Sequence, residues 1–284
     1  MLGQTKKICK EYDIQPARSK GQNFLIKEGI YNKIIKSADL KSSDTVLEVG
    51  PGLGFLTEKL AKEVKQVIAV ELDDKLAKIL SLKLQEKKIK NVEIINKDIL
   101  SGPTAPAGAV GPLKNYKIVA NLPYNITSKF LRKFLEEVEN KPTTMILMLQ
   151  KEVAERIVAK PGDMSLLAVS VQFYAQPTII GNVAKESFWP KPKVDSAIVK
   201  LEIRSDPSRL RLAEAEKFFK LVRAGFSAKR KQLKNNLVKN LEIKPEVIKE
   251  VLIKNNLNEK VRAQELSVQN WKNIFVVLDG QNML

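Results

Sequence analysis

The sequence predicts an α/β fold built on a parallel sheet and followed by a small helical domain. Three observations lead there. Short apolar runs with strand character alternate with stretches of helical spacing over the first part of the chain. Such alternation needs crossover connections, which make neighbouring strands parallel and cover both faces of the sheet. After Ile203 the strand-like runs stop, and the remainder is Lys-rich with helical spacing. A chain of 284 residues is long enough for two cores.

The elements follow in order. Thr45–Val49, Gln66–Glu71, Val92–Asn96, Lys117–Ala120 and Thr143–Leu149 read as strands. Between them Phe55–Glu63, Lys75–Lys87 and Thr127–Val138 carry helical periodicity. Thr178–Val183 and Ala197–Ile203 are further strand-like runs, and they flank Phe188-Trp189-Pro190-Lys191-Pro192-Lys193. Two prolines bar that stretch from a central strand, because each removes a ladder donor. Ser101–Pro112 is rich in Gly, Pro and Ala and reads as a long loop excursion. Asp206-Pro207 marks a boundary, so the expected domains are residues 1–205 and 206–284.

Composition narrows the chemistry. With 44% hydrophobic and 29% charged residues, the chain is that of an ordinary water-exposed protein. Lys and Arg outnumber Asp and Glu by 49 to 32, a net charge of +17 that suits a polyanionic partner, nucleic acid before membrane. A Lys-rich proteome would give the same excess without any such partner. The lone cysteine, Cys9, rules out an internal disulfide and a Cys-cluster metal site. The complete absence of His removes Ser-His and Cys-His catalysis and the usual zinc chemistry, and no metal is expected. No apolar run reaches the ~20 residues of a bilayer span. Lys6, Lys7 and Lys10 mixed with Glu11 and Asp13 suit neither a signal nor a transit peptide, so a reducing cytoplasm is expected.

Asn121-Leu122-Pro123-Tyr124 follows the strand-like Lys117–Ala120 and precedes a helix. Asn offers a neutral oxygen to an N–H donor. Pro fixes the local backbone so that neighbouring carbonyls can face a site. Tyr offers a ring on which a base can stack. The combination suits a flat amine. Earlier, Glu48-Val49-Gly50-Pro51-Gly52-Leu53-Gly54 ends a strand and opens a helix, and its glycines let backbone approach a ligand. Phe55 stands where a dinucleotide fingerprint would need Gly, so the ligand expected is a nucleoside with an amino-acid tail. Glu71 closes the second strand and can accept both ribose hydroxyls, although alone it is equally a strand-end carboxylate in water. Asp98 follows the third strand and can accept from an adenine amino group, although alone it reads as a turn or cap residue. All three lie at the carboxyl ends of successive strands, where open α/β sheets bind ligands, and together they point to S-adenosylmethionine.

These residues, with Gly21-Gln22-Asn23-Phe24-Leu25 and Phe188-Trp189-Pro190-Lys191-Pro192-Lys193-Val194-Asp195-Ser196, resemble the KsgA-type family of small-subunit (16S) ribosomal RNA adenine N6,N6-dimethyltransferases. The resemblance runs from about residue 14 into the C-terminal helices. It implies a Rossmann-like class I methyltransferase sheet with a small C-terminal all-helical domain, and an N-terminal segment, 1–29, folded over the cofactor. It implies that Asn23, Leu25, Gly50 and Gly52 surround the methionine part of S-adenosylmethionine, that Glu71 beside Leu72 holds the ribose, that Asp98 beside Ile99 holds the adenine, and that Asn121 also touches the cofactor. It implies further that Asn121 and the Leu122 carbonyl grip the target N6 amine while Tyr124 and Phe188 stack on the base. Outside the resemblance, Phe188 reads as a core aromatic. The Ser101–Pro112 stretch is longer and richer in Pro and Ala than the resemblance leads one to expect.

Lys217–Lys239 contains eight basic and no acidic residues. Charge runs usually form a solvated face, but this one lacks the acidic neighbours that i,i+4 pairing would use, which favours RNA contact. Arg223, Lys229, Arg230, Lys231 and Lys234 are the candidates. The expected partner is small-subunit rRNA in a partly assembled subunit, bound by a monomer. The rival readings are a large-subunit (23S) rRNA adenine methyltransferase of the macrolide-resistance type, a ribosome-assembly factor that no longer reacts, and a dinucleotide oxidoreductase, which Phe55 disfavours.

Overall fold

A computed structural model describes residues 1–16, 22–101, 113–204 and 212–284. Gly21, all of the Ser101–Pro112 stretch but its first residue, and Asp206-Pro207 lie outside the described residues. The chain divides into two compact units. A sheet unit comprises Met1–Ala154 and Ala175–Ile203, and a helical unit comprises Glu155–Tyr174 and Arg204–Leu284. The helical unit therefore draws a segment from between two strands of the sheet unit.

In chain order the sheet unit begins with α1 (Leu2–Glu11), β1 (Phe24–Leu25), α2 (Glu28–Ser37), β2 (Thr45–Val49), α3 (Phe55–Glu63), β3 (Gln66–Glu71), α4 (Asp74–Glu86) and β4 (Val92–Asn96). It continues with β5 (Tyr116–Asn121), α5 (Thr127–Arg132), which runs on as a π-helical turn over Lys133–Glu137, and β6 (Thr144–Gln150). Helix α6 (Lys151–Ile157) leads into the helical unit and its α7 (Leu166–Tyr174); the chain then returns through β7 (Ala175–Val183), β8 (Phe188–Trp189) and β9 (Ser196–Ile203).

The main sheet has the order β4-β3-β2-β5-β6-β9-β7. The first five strands are mutually parallel, as the strand-helix alternation requires. The last two are antiparallel: β9 returns along β6, and β7 pairs with β9 through a register shift at Ile179/Gly181. The fold is thus α/β and Rossmann-like, with a mixed rather than wholly parallel sheet. The Phe188–Lys193 stretch supplies only the two-residue β8, which forms a separate ribbon with β1. The two prolines do exclude it from the main sheet.

Val46, Leu47, Val67, Ile68, Ile118 and Val119 are fully buried in the sheet. Helix α4 lays Leu76, Ile79 and Leu80 inward, each burial stabilising by about 1.5–3 kcal/mol. Its start is set by Asp73, whose carboxylate accepts from the N–H groups of Lys75 and Leu76. Helices α1 and α2 contribute Ile8, Tyr31 and Ile34 to the same apolar cluster as β2 and β3.

The helical unit adds α8 (Leu212–Gly225), α9 (Leu233–Leu241), α10 (Pro245–Lys254) and α11 (Val268–Gly280). Its core is aromatic: Phe173 stacks on Phe218 with centroids 4.6 Å apart, and Phe275 meets Phe218 edge-on. Trp271 is fully buried. Among the described residues no helix is long and apolar enough to cross a membrane.

Candidate active site

Strand register assembles the site. Val49 pairs with Val70 on one side and with Ala120 on the other. The next residue along each strand or just beyond it, Gly50, Glu71 and Asn121, therefore comes to one edge of the sheet. The chain runs outward from β2 to β4 and then crosses back to β5, so this edge is a topological switch point, where α/β sheets open a crevice. An open cavity lies there, lined among others by Asn23, Leu25, Gly50, Gly52, Glu71, Leu72, Asn121, Leu122, Tyr124 and Phe188.

The glycine turn is sterically determined. Gly54 sits at φ +80 before α3, and a Cβ there would lie 2.4 Å from Leu80 Cδ1. Gly52 has φ +56, and a Cβ would press on the Phe24 ring at 3.3 Å. L side chains rarely adopt such a backbone. Close approach of the turn to Phe24 brings the β1–β8 ribbon over the cavity. In that ribbon Leu25 pairs with Phe188 and Phe24 with Trp189. The Tyr31 hydroxyl donates to Leu25 O at 2.9 Å and ties α2 to the ribbon.

Glu71 organises the turn as well as lining the cavity. Its Oε2 accepts the Gly52 N–H at 3.0 Å and its Oε1 accepts the Asp73 N–H at 3.0 Å. Burial pushes its pKa up, against the pull of those two N–H groups.

Sequence reasoning gave Glu48 no role of its own. It is 1% exposed, it lines the cavity, and its Oε2 has no hydrogen-bond partner. Burial above all, with the nearby Glu71 charge, pushes its pKa up to about 8. The signal available in the sequence was a carboxylate inside the otherwise apolar strand Thr45–Val49, immediately before a glycine turn. Burial first, and then the Glu48 charge, also raise the pKa of Tyr31.

Asn121 ends β5 half-buried, and its side-chain amide donates to Asn23 O at 3.4 Å. Its donor end is thereby engaged with the β1 approach. A Cβ on Gly50 would lie 3.9 Å from Asn121 O, so the glycine turn and the Asn121–Tyr124 segment face each other. Pro123 has φ −56 and ψ 131 and turns the chain into a 3-10 turn over Tyr124–Ile126. The Tyr124 hydroxyl shares a 2.7 Å hydrogen bond with Ser196 Oγ at the start of β9. Ser196, the last residue of the Phe188–Ser196 stretch, thereby holds the Tyr124 ring in place. Phe188 is 3% exposed and belongs to the cavity wall.

Asp98 and Ile99 do not line the cavity. They lie beyond β4, where Asp98 is exposed and its Oδ1 accepts the Leu100 N–H at 2.8 Å. In the helical unit Arg223, Lys229, Arg230 and Lys231 are exposed. Lys234 is half-buried and pairs with Glu259 at 3.8 Å, and Lys217 pairs with Asp279 at 2.7 Å. The basic run therefore does have acidic partners. They come from other parts of the helical unit instead of from i,i+4 neighbours, a pairing that sequence spacing cannot reveal.

The model of the family described as ribosomal RNA adenine dimethylase matches residues 15–279. A protein of Dehalococcoides mccartyi called ribosomal RNA small subunit methyltransferase A is 47% identical over 98% of this chain and 93% of its own length. One of the same name from Bacillus pumilus is 39% identical over 96% of this chain and 95% of its own length. Among solved structures, a dimethyladenosine transferase from Plasmodium falciparum superposes with a TM-score of 0.79 at 29% identity, covering 91% of this chain and 98% of that one. The 23S rRNA methyltransferase ErmE gives 0.74 at 28% identity, covering 90% and 100%. Sequence and architecture agree from near the N-terminus to the last helix: the chain belongs to the ribosomal RNA adenine dimethylase family.

Proposed function

We propose that this protein transfers methyl groups from S-adenosylmethionine to N6 of two adjacent adenosines in the 3′-terminal hairpin loop of small-subunit (16S) ribosomal RNA, giving N6,N6-dimethyladenosine during ribosome biogenesis. One observation carries the reading: a single cavity joins Gly50, Gly52 and Glu71 on one side to Asn121, Leu122, Tyr124 and Phe188 on the other. The small-subunit assignment follows the 47% identical relative rather than the 28% identical 23S enzyme.

The residues fit the cofactor. The buried Glu48 carboxyl, whose Oε2 has no hydrogen-bond partner, leaves a hydrogen-bonding position in the cavity wall for a polar group of the ligand. The glycine turn brings backbone close without side chains in the way, and Leu72, 57% exposed, offers an apolar face at the rim. Glu71 takes the ribose hydroxyls, with Asn23, Leu25, Gly50 and Gly52 around the methionine part. Asp98, with Ile99, takes the adenine amino group; the Leu100 N–H on Oδ1 steadies the carboxylate and leaves Oδ2 for that donor. When bound, S-adenosylmethionine supplies a methyl group on a positively charged sulfur.

The chain's part is to present the amine. An exocyclic adenine nitrogen is a poor nucleophile because its lone pair is delocalised into the ring. With its amide nitrogen on Asn23 O, Asn121 has its oxygen left to accept one N6 proton, and the Leu122 carbonyl accepts the other. Two acceptors turn the lone pair out of conjugation and hold it in line, the positioning that supplies much of a barrier reduction. Tyr124 and Phe188 sandwich the base, each stack contributing about 1–3 kcal/mol. The amine product sheds its proton to water, so no His is needed. Loop adenosines cost least to unstack. Arg223, Lys229, Arg230, Lys231 and Lys234 contact phosphates, which positions RNA without reading it. The partner is a partly assembled small subunit in the cytoplasm, and the protein acts as a monomer.

The test is transfer of labelled methyl to methylation-deficient small subunits, with large subunits in parallel and the product nucleoside identified. N6,N6-dimethyladenosine on small subunits alone is expected. Label on large subunits would assign the resistance-type reaction instead, and tight binding without label would leave an assembly factor.

A further inference from the structure

The loop between α8 and α9 carries Lys229-Arg230-Lys231, three consecutive exposed cations. None forms an ion pair with a described residue, whereas Lys217 and Lys234 on either side are paired. The backbone beneath them is held from inside the unit by one side chain. Asn236, on α9, is 2% exposed. Its Nδ2 donates to Gly225 O, the last carbonyl of α8, at 2.6 Å and to Ala228 O at 3.0 Å. Ala228 O also accepts the Lys231 N–H at 3.1 Å, so the turn that carries the cations closes on the atom that Asn236 grips. A second tie lies further out, where Asn240 Nδ2 donates to Ser227 Oγ at 2.9 Å. Gly225 permits the approach: a Cβ there would stand 2.2 Å from Trp271 Cη2 and 2.9 Å from Leu233 Cδ1.

A buried amide that ties the end of α8 to the loop after it does something that solubility or helix propensity does not require. We propose that Asn236 is a positioning residue for RNA binding. It holds the 228–231 turn in its binding conformation before contact, so that Lys229, Arg230 and Lys231 meet the phosphates as a preformed unit. This rests on the reading of those cations as phosphate ligands. Its physical content is entropy: a loose turn would have to be ordered on contact, and ordering a single residue is enough to weaken binding by on the order of tenfold.

The experiment measures binding of the full chain to methylation-deficient small subunits across a salt series. Asn236→Asp keeps the shape but removes both donors; Asn240→Ala removes the outer tie, together with a local bond to Asn236 O within α9 (2.7 Å), at an exposed position that folding tolerates. Each is made alone and in a Lys229→Ala/Arg230→Ala/Lys231→Ala background, and S-adenosylmethionine affinity reports the integrity of the sheet unit. The triple variant should lose affinity and reduce the salt slope by roughly two to three. Asn236→Asp should weaken subunit binding about tenfold, and Asn240→Ala less, with cofactor affinity unchanged. Neither should weaken it further in the triple background. Equal losses in both backgrounds would make Asn236 merely structural and overturn the proposal. Full affinity in both single variants, with a weakened triple variant, would show that the cations act without a pinned turn. Full affinity in the triple variant would instead remove the phosphate-ligand reading itself. Should Asn236→Asp not fold, the Asn240→Ala pair decides by the same comparison.

Discussion

Glu48→Gln isolates the energetic consequence of placing a carboxyl group in the cavity wall. In the fold the carboxyl is 1% exposed with an unpartnered Oε2. Burial chiefly, then the Glu71 charge, raises its pKa from 4.5 to about 8. A carboxyl raised in the fold is favoured in its neutral form there. Its contribution to stability is therefore fully present below pH 4.5, falls as pH rises through the interval, and is lost above about 8. At ~1.36 kcal/mol per unit that interval corresponds to roughly 5 kcal/mol. Glutamine has nearly the same shape and does not titrate. Urea unfolding of parent and variant between pH 4 and 9 would measure the difference. The variant's relative stability should rise by a few kcal/mol between about pH 5 and 8 and level off beyond. A pH-independent difference would refute the assignment of a buried, neutral Glu48. A parallel series in Glu71→Gln should show the parent's decline shifted to lower pH, because the charge that helps keep Glu48 protonated is gone.

Four further outcomes are expected. Asn121→Ala should lower kcat/KM by about 100-fold or more while S-adenosylmethionine affinity, measured by titration, falls far less, since the main loss is the acceptor that acts on the amine. Tyr124→Phe should lose only the Ser196 hydrogen bond, about 1 kcal/mol, whereas Tyr124→Ala should raise KM for RNA by the equivalent of ~1–3 kcal/mol of stacking; equal effects would remove the stacking role. Gly54→Ala should cost about 1–3 kcal/mol in thermal or urea unfolding, because φ +80 and a 2.4 Å approach to Leu80 cannot both be kept. Lys83→Met should destabilise by about 1–3 kcal/mol, since it removes the ammonium 3.2 Å from the mostly buried Glu58 carboxylate and leaves that carboxylate only the half-exposed Lys87, 2.5 Å away; adding Glu58→Leu should recover part of the loss, and an additive double variant would argue against the pair.

Periodicity along the chain carried much of the sheet. Thr45–Val49, Gln66–Glu71 and Val92–Asn96 coincide with β2, β3 and β4, and Phe55–Glu63 with α3, because buried parallel strands are apolar runs and their covering helices are amphipathic. The glycine turn and the Asn121–Tyr124 segment were readable for a similar reason: each is a local backbone device whose residues must be contiguous. Their meeting at one cavity followed from strand order, since the carboxyl ends of parallel strands share an edge. Strand direction at the far edge was not readable. An apolar run has the same spacing whether it lies parallel or antiparallel, so β7 and β9 showed their direction only when paired with β6 and each other. Helices α1 and α2, the β1–β8 ribbon, and the inclusion of Glu155–Tyr174 in the helical unit also depend on packing partners far away in the chain. The same holds for the Lys234–Glu259 pair, the Asn236 tie to the basic turn, and the protonation of Glu48. A residue's type and spacing are local properties. Dielectric environment, ion pairing and hydrogen-bond partners come into being only when segments distant in sequence are brought within a few ångströms of one another.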